Sequence, residues 1–525
     1  MKKRIGLILV ILMVAGAMVF GAGGSQLTSS GNLTVEIFDR GTDGGRSVAH
    51  NNAWTDWIKD RVKKDLGINV TFKPVGRWSE PQDIVNLMAS GSAPDLCYTY
   101  QIGMLNTFRD LGGMLDLAPF IDKELPDLKK LLGPDPALSG KDFIRRQTET
   151  RKDIAGKIFS IPSARVALAQ RNIFIRKDWL DKLGIAVPTT LDQFYAALTA
   201  FRTRATELPG NLTQARVVPF FQGSDVRWGL GDFMMNGVVK NISDKDRWIN
   251  SVAERYLSMN GYKEGVRLMN KWYNERLIYQ DFPLLTVADD GNNILKSGVA
   301  GAFCGNWDLP YRTDYKINEE LAKNVSGASF IPVEIGLSNK SMMDKTGLYM
   351  FIPSYSKNQL EALRYLNWLA KPEIYKFLQN GTEGVNHKIE NGIPVRISRP
   401  AGDPWFMNSS DNIDMTMPMN GIQLGDNDLN TRVLAVTYPG TPPQTITQAY
   451  NFSVKNARAA VVRQVTTSVN EYTQTLQDKA DALLAQAIRA TPAQFDSVWD
   501  TGYRDWIASG AQKVLDERTS LANPW

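Results

Sequence analysis

Leu33-Thr-Val-Glu-Ile-Phe38 alternates apolar and polar side chains and is rich in β-formers, so it predicts a strand. Outward from it, Trp54 to Leu66 has helical spacing and meets a stop at Gly67. Ile68-Asn-Val-Thr-Phe72 predicts a second strand, and Asp83 to Ala89 a helix closed by Gly91. Leu96-Cys-Tyr-Thr-Tyr100 follows Ala93-Pro94-Asp95 as a third strand. Strand, helix, strand, helix, strand needs crossover connections, which predicts an α/β fold with a largely parallel sheet.

A second unit starts near Arg171. Asn172 to Arg176 is strand-like, Asp178 to Leu183 is a short helix ending at Gly184, and Thr190 with Gln193 predicts a capping box. The helix after it carries Leu191, Phe194, Leu198 and Phe201 on one face. Tyr262 to Leu277 and Gln359 to Leu369 predict helices, while Val299 to Cys304 and Leu348 to Pro353 predict strands. From about Ser453 the chain is mostly helical, with a second capping box at Thr491-Pro492-Ala-Gln494. No fixed repeat is present, which argues against a solenoid or eight βα units.

The chain has 525 residues, more than one compact core usually organises, so at least two lobes are expected. Its 43% apolar and 22% charged content is that of a globular protein, neither disordered nor polytopic. Lys2-Lys3-Arg4, the uncharged run Ile5 to Phe20 and the small residues Gly21 to Ser25 have the build of a secretory signal peptide, expected over residues 1–24. A transmembrane anchor is the alternative, since Ile5 to Gly24 could just cross roughly 30 Å of hydrocarbon. The mature protein is expected in the periplasm or outside the cell, and with no cysteine near the junction no lipid attachment is expected there. Without Lys2, Lys3 and Arg4 the formal charge falls from +5 to +2, too little for a nucleic-acid binder. Two histidines, His50 and His387, exclude a closely paired histidine metal motif, and two cysteines exclude a four-cysteine zinc site. Cys97 and Cys304 lie in apolar, strand-like runs; two buried thiols are preferred to a disulfide, which export would permit.

Several segments together resemble the family-1 extracellular solute-binding proteins of carbohydrate ABC transporters. They are Leu87-Met-Ala-Ser-Gly-Ser-Ala-Pro-Asp95, Ile154-Ala-Gly-Lys-Ile-Phe-Ser-Ile-Pro162, Ile175 to Gly184 with Val187 to Phe194, and Lys296 to Asp308. Phe495-Asp-Ser-Val-Trp499 through Gly510 resembles the C-terminal helices of the longer members. The resemblance lies in order and spacing over most of residues 30–515. It implies the type II periplasmic binding fold: two α/β lobes joined by hinge strands, with extra C-terminal helices. The expected division is a first lobe over 25–168, a second over 169–330, a return to the first over 331–400, and a loop-rich stretch with C-terminal helices packing on both lobes over 401–525. The implied function is capture of a sugar or oligosaccharide between the lobes and delivery to membrane permease subunits of an ABC importer, as a monomer, with no cofactor, no metal and no nucleic acid. Longer members often carry an acidic calcium loop after the helix that here ends near Phe201. Residues 202–217 offer one acid, Glu207, among three arginines, so no calcium is expected there.

A sugar presents hydroxyls at its edges and a weakly apolar C–H face, which suits flat aromatic platforms beside polar side chains. Covering half an aromatic, ~100 Å² at ~25 cal/mol/Å², contributes about 2–3 kcal/mol, and micromolar affinity needs about 8 kcal/mol. Two or three platforms with a few hydrogen bonds are therefore the minimum. Trp307 is the first candidate, because it follows a second-lobe strand and ligands of open α/β sheets sit beyond strand carboxyl ends; the resemblance also implies a stacking tryptophan at this motif. Asn306 and Asp308 flank it as hydroxyl partners. The resemblance brings in Trp228, with Phe221 behind it, and Glu383 in the segment that contains His387. Tyr98 and Tyr100 share one face of the third strand; one is expected in the core and the other at the cleft mouth. Asp39 and Arg40 end the first strand, Arg77 and Trp78 follow the second, and Trp405 lies in a loop-rich stretch. Trp54, Trp272, Trp368 and Trp499 fit apolar helix faces and are expected in the core.

Two other classes compete. A glycoside hydrolase needs two carboxylates about 5–10 Å apart across the scissile bond; no acid pair stands out by motif, and no catalytic residue is assigned. A binder of peptides or another solute would use main-chain contacts and a charged anchor for the termini.

Overall fold

The computed structural model describes residues 27–40, 48–77, 79–133, 156–223, 234–235, 237–253, 255–285, 288–312, 315–397, 399, 403–405, 411–421, 427–438, 440–459, 461 and 466–522. The expected signal segment, Trp78 and Trp228 lie outside them. No helix among the described residues is long and apolar enough to cross a membrane.

In chain order the strands are β1 (Asn32–Asp39), β2 (Asn69–Gly76), β3 (Cys97–Thr99), β4 (Ile161–Arg165), β5 (Arg171–Arg176), β6 (Val218–Phe221) and β7 (Ala300–Asn306). They continue as β8 (Phe330–Val333), β9 (Lys340–Met342), β10 (Thr346–Phe351), β11 (His387–Glu390), β12 (Ile393–Arg396), β13 (Met419–Asn420) and β14 (Ala457–Ala459).

In the first lobe β1 pairs in parallel with β2, and a parallel bridge from Val35 to Leu96 aligns β1 with β3. β10 runs antiparallel to both β3 and β4, and β13 pairs in parallel with β4. β1, β2, β3, β4 and β13 therefore point one way and end on one edge. The antiparallel return of β10 is the departure from an all-parallel sheet. The crossover from β1 to β2 uses the helix Ala53–Leu66, whose Asn52 cap accepts from the amides of Trp54 and Thr55 while Thr55 bonds back to Asn52. It stops at Gly67, with φ +74°, a left-handed position that glycine adopts without a Cβ penalty.

In the second lobe the strand order is β6-β7-β5-β8. β7 is parallel to β6 and antiparallel to β5, so Arg171 at the start of β5 faces Asn306 at the end of β7. Its core holds Trp179, Phe194, Trp272 and Trp506, and the helices Thr467–Arg489, Phe495–Trp506 and Gln512–Leu521 contribute to the same cluster. Asn270 ties the first of these down by donating to the carbonyls of Ala487, Ile488 and Ala490. Trp54, Trp272, Trp368 and Trp499 are buried, as their helix faces predict.

Both predicted capping boxes differ in detail. Thr190 accepts from the Gln193 amide, but the Gln193 carbonyl accepts from Thr189 instead of Thr190. Thr491 and Gln494 bond side chain to side chain, and the helix begins only at Phe495. Cys97 and Cys304 are unbridged. Glu207 is engaged by Arg204 through two bonds of 2.8 and 2.6 Å.

The lobes are joined at 166–170, where five residues separate Arg165 of β4 from Arg171 of β5. Even fully extended, that path holds the two strand edges within roughly 20 Å. Leu168 accepts from the Met343 amide, so the second crossing, between β8 and β10, runs beside the first.

Candidate functional site

At the carboxyl edge of the first lobe, one long-range and one local ion pair fix Arg40 and Arg77. Arg40 donates from Nε and Nη2 to Asp414 on the helix Asp411–Thr416, at 2.5 and 2.7 Å. Burial alone would lower the guanidinium pKa, but Asp414 more than reverses it, so Arg40 stays charged. Arg77 binds Glu80 at 3.0 Å and lies over the rings of Tyr100 and Phe38, 4.6 and 5.1 Å from their centroids. Burial pushes the Glu80 carboxyl up, while Thr99, Arg77 and the Tyr100 amide pull it back. Tyr100 stacks on Phe38 and accepts from the Asn420 amide at 3.2 Å.

At the second lobe's edge, the Trp307 amide donates to the Gln170 carbonyl at 3.0 Å, anchoring the strand end to the crossing segment. The Trp307 ring meets Tyr438 and Tyr450 at right angles, with centroids 6.0 and 5.6 Å away. Tyr438 donates to Asp308 Oδ2 at 2.6 Å, and Tyr450 receives the Leu168 amide at 3.4 Å.

The structure therefore gathers Arg40, Arg77 and Tyr100 on one edge and Asn306, Trp307 and Asp308 on the other. Asp39 ends β1 beside Arg40. Of the two tyrosines on β3, Tyr98 is the core one and drops out as a ligand candidate: it is 0% exposed, packs edge-on against Phe38 and accepts from the Phe38 amide, while Tyr100 is half-buried under Arg77. Trp307 is only 7% exposed and packs with Phe221 in one buried cluster. Phe221 itself lies against Tyr279. Trp405 packs edge-on against Trp54 at 5.0 Å and its carbonyl accepts from Asn386. Glu383 is exposed at a turn whose amide at Gly384 donates to the His387 carbonyl. Asp414, Asn420, Tyr438 and Tyr450 were missed by sequence reasoning. Each reaches its partner from more than 100 residues away, and no local pattern marks it. Among the described residues no group of three His, Cys, Asp or Glu side chains could hold a metal ion.

Two α/β lobes, joined by adjacent crossings and presenting polar and aromatic side chains at strand ends beside those crossings, define a two-lobe binding protein. The chain belongs to the bacterial extracellular solute-binding protein family, whose model matches residues 47–376. It is 25% identical over 346 residues to lipoprotein LipO of Bacillus subtilis, a match that spans 62% of each chain. It is 22% identical over 422 residues, 74% of each chain, to the polygalacturonan/rhamnogalacturonan-binding protein YtcQ of the same organism. Its fold is that of the Streptococcus pneumoniae ABC-transporter substrate-binding protein FusA in complex with kestose, with a TM-score of 0.62 and 15% identity over 93% of this chain and 98% of that one.

Proposed function

We propose that the protein is an exported binder that captures an oligosaccharide between its lobes and delivers it to the permease subunits of an ABC importer, acting as a monomer and without chemistry. The observation that carries this reading is the pair of edges flanking the crossing segment: Tyr100 under Arg77 on one, Trp307 with Tyr438 and Tyr450 on the other. Aromatic surfaces on both sides, with arginines on the first, let closure add ligand contacts that neither lobe supplies alone. YtcQ and FusA carry polysaccharide and fructooligosaccharide names, which support a carbohydrate ligand. The carboxylates at the edges are engaged, Asp414 by Arg40, Glu80 by Arg77 and Asp308 by Tyr438, which favours binding over the paired acids of hydrolysis.

A thermal-shift panel of neutral and acidic oligosaccharides and of peptides tests this. A true ligand at 100 times its dissociation constant stabilises the protein by about 2.7 kcal/mol. Stabilisation by peptides alone, or release of shorter sugars on prolonged incubation, would overturn it.

A further inference from the structure

Arg165 is the last residue of β4, where the chain leaves the first lobe. Its amide is held by the Lys345 carbonyl and its position pairs with Asn420 of β13, so its backbone is fixed on both sides. Its guanidinium is not. Among the described residues it has no ion pair and no side-chain hydrogen bond, although it is partly buried and that burial lowers its pKa. Asp344 acts on it electrostatically without forming a bridge, and the other facing groups are the tyrosines Tyr100 and Tyr349.

Among the described residues three other buried arginines each reach an acceptor through a terminal nitrogen, although the Nε of Arg247 and of Arg518 has none. Arg176 is locked to Asp178 and the Gly298 carbonyl, Arg247 to Asp244 and the Ala459 carbonyl, and Arg518 to the carbonyls of Trp248 and Ser251. On the same edge Arg40 and Arg77 each have their carboxylate. An unpaired charge held partly out of water is costly, and such a charge persists where a partner arrives later. Next to it, Asn420 shares a register position with Arg165 and donates to the Tyr100 hydroxyl oxygen, so the Tyr100 proton is left to point elsewhere. Arg165 and Tyr100 thus form a donor pair with one net positive charge and no acceptor of their own among the described residues. A planar fork with one compensating hydroxyl suits a planar monoanion, a carboxylate, better than a dianion.

We propose that Arg165 and the Tyr100 hydroxyl receive a sugar carboxylate, so that the captured oligosaccharide is a uronate rather than a neutral sugar. This rests on the saccharide-binding reading above and adds the charge of the ligand. The relatives leave that charge open, since YtcQ is named for polygalacturonan and rhamnogalacturonan and FusA for fructooligosaccharides.

The test is calorimetry on the mature chain with trimers of galacturonate, glucuronate and mannuronate, their methyl esters, and neutral fructo- and malto-trimers. At least one uronate is expected to bind, with about a 100-fold loss on esterification. Arg165→Gln should erase that difference, and Arg165→Lys should keep part of it because charge survives without the fork. Without ligand, Arg165→Gln should melt at the wild-type temperature or above it; a drop of several degrees would make Arg165 a structural residue and overturn the proposal. Tight binding of neutral trimers alone, or equal binding of acid and ester, overturns the charge assignment and leaves saccharide capture standing. No binding by any of these sugars together with stabilisation by peptides overturns both.

Discussion

At the first lobe's strand ends Arg40 is locked to Asp414 and Arg77 to Glu80, whereas at the second lobe's edge Trp307 sits between Tyr438 and Tyr450. Both edges end sheets of the same α/β class, and both lie beside the same crossing segment. The first is organised by ions taken out of water and the second by aromatic packing with one hydroxyl bond to Asp308. The difference teaches a division of labour: ion pairs fix donors in direction, which suits recognition of ligand oxygens, while packed rings supply area that tolerates the exact sugar. It also predicts that the two edges fail differently when disturbed.

The largest effect is expected from Asp414→Ala. It leaves Arg40, with its side chain 14% exposed, without the carboxylate that holds two of its nitrogens. Breaking such a buried pair from one side costs about 3–5 kcal/mol. Urea unfolding of the ligand-free chain measures it, and a change below about 1 kcal/mol would show that the first edge is not held by this pair. Next comes Trp307→Ala, expected to weaken saccharide affinity by about 2–3 kcal/mol through lost platform area. Because the ring is mostly buried, the variant should also lose stability. Loss of stability with unchanged affinity would reduce Trp307 to a packing residue and move the second edge's binding surface to Tyr438 and Tyr450.

A pH experiment separates the lobes further. Glu36 in β1 is fully buried, and that burial pushes its carboxyl well above the ordinary range, against the bond it accepts from the Tyr98 amide. The folded chain then keeps a proton that the unfolded chain releases. Stability contributed by this group is complete below the unfolded value, about 4.3, and declines as pH rises toward the folded one, by at most about 1.4 kcal/mol per pH unit. Glu36→Gln should flatten that decline when the two proteins' urea midpoints are compared from about pH 4 to pH 7. Parallel curves would mean that Glu36 is ionised in the fold.

The first-lobe elements were legible because they are local. The alternation from Leu33 to Phe38, the stop at Gly67 and the helix Gln359–Leu369 each need only neighbours in sequence, and the structure reproduces them with small shifts in boundary. Length and the second run of strands and helices from Arg171 already called for at least two lobes, and the family resemblance supplied the hinge strands between them. The site was half legible. Residues that end strands, such as Arg40, Arg77 and Asn306, could be nominated because strand ends are where open sheets bind. Apart from Glu80, three residues after Arg77, their partners could not, since Arg40 meets Asp414 across 374 residues and Asp308 meets Tyr438 across 130. Tyr98 and Tyr100 shared a face and could not be ranked until the Phe38 ring covered one and left the other under Arg77. Arg165 escaped notice for a different reason: what singles it out is the lack of a partner among the described residues, and a sequence does not show that.

The smallest effects give the sharpest comparison of the two edges, because a pair of tyrosine-to-phenylalanine changes removes one oxygen from each and leaves both rings. Tyr438 donates to Asp308, so Tyr438→Phe removes an internal bond and should cost about 1 kcal/mol of stability. Its ring still packs on Trp307, and saccharide affinity should change less than about threefold. Tyr100 accepts from Asn420 but has no acceptor of its own among the described residues, so its proton is free for a ligand oxygen. Tyr100→Phe gives up only the long 3.2 Å bond from Asn420, so it should cost no more stability than Tyr438→Phe while lowering affinity by about tenfold, the value of one hydrogen bond to a charged group. If instead Tyr438→Phe is the one that loses affinity, the hydroxyl bonds of the second edge are the ligand-reading ones, and the division between a charged edge that reads oxygens and an aromatic edge that supplies area is reversed.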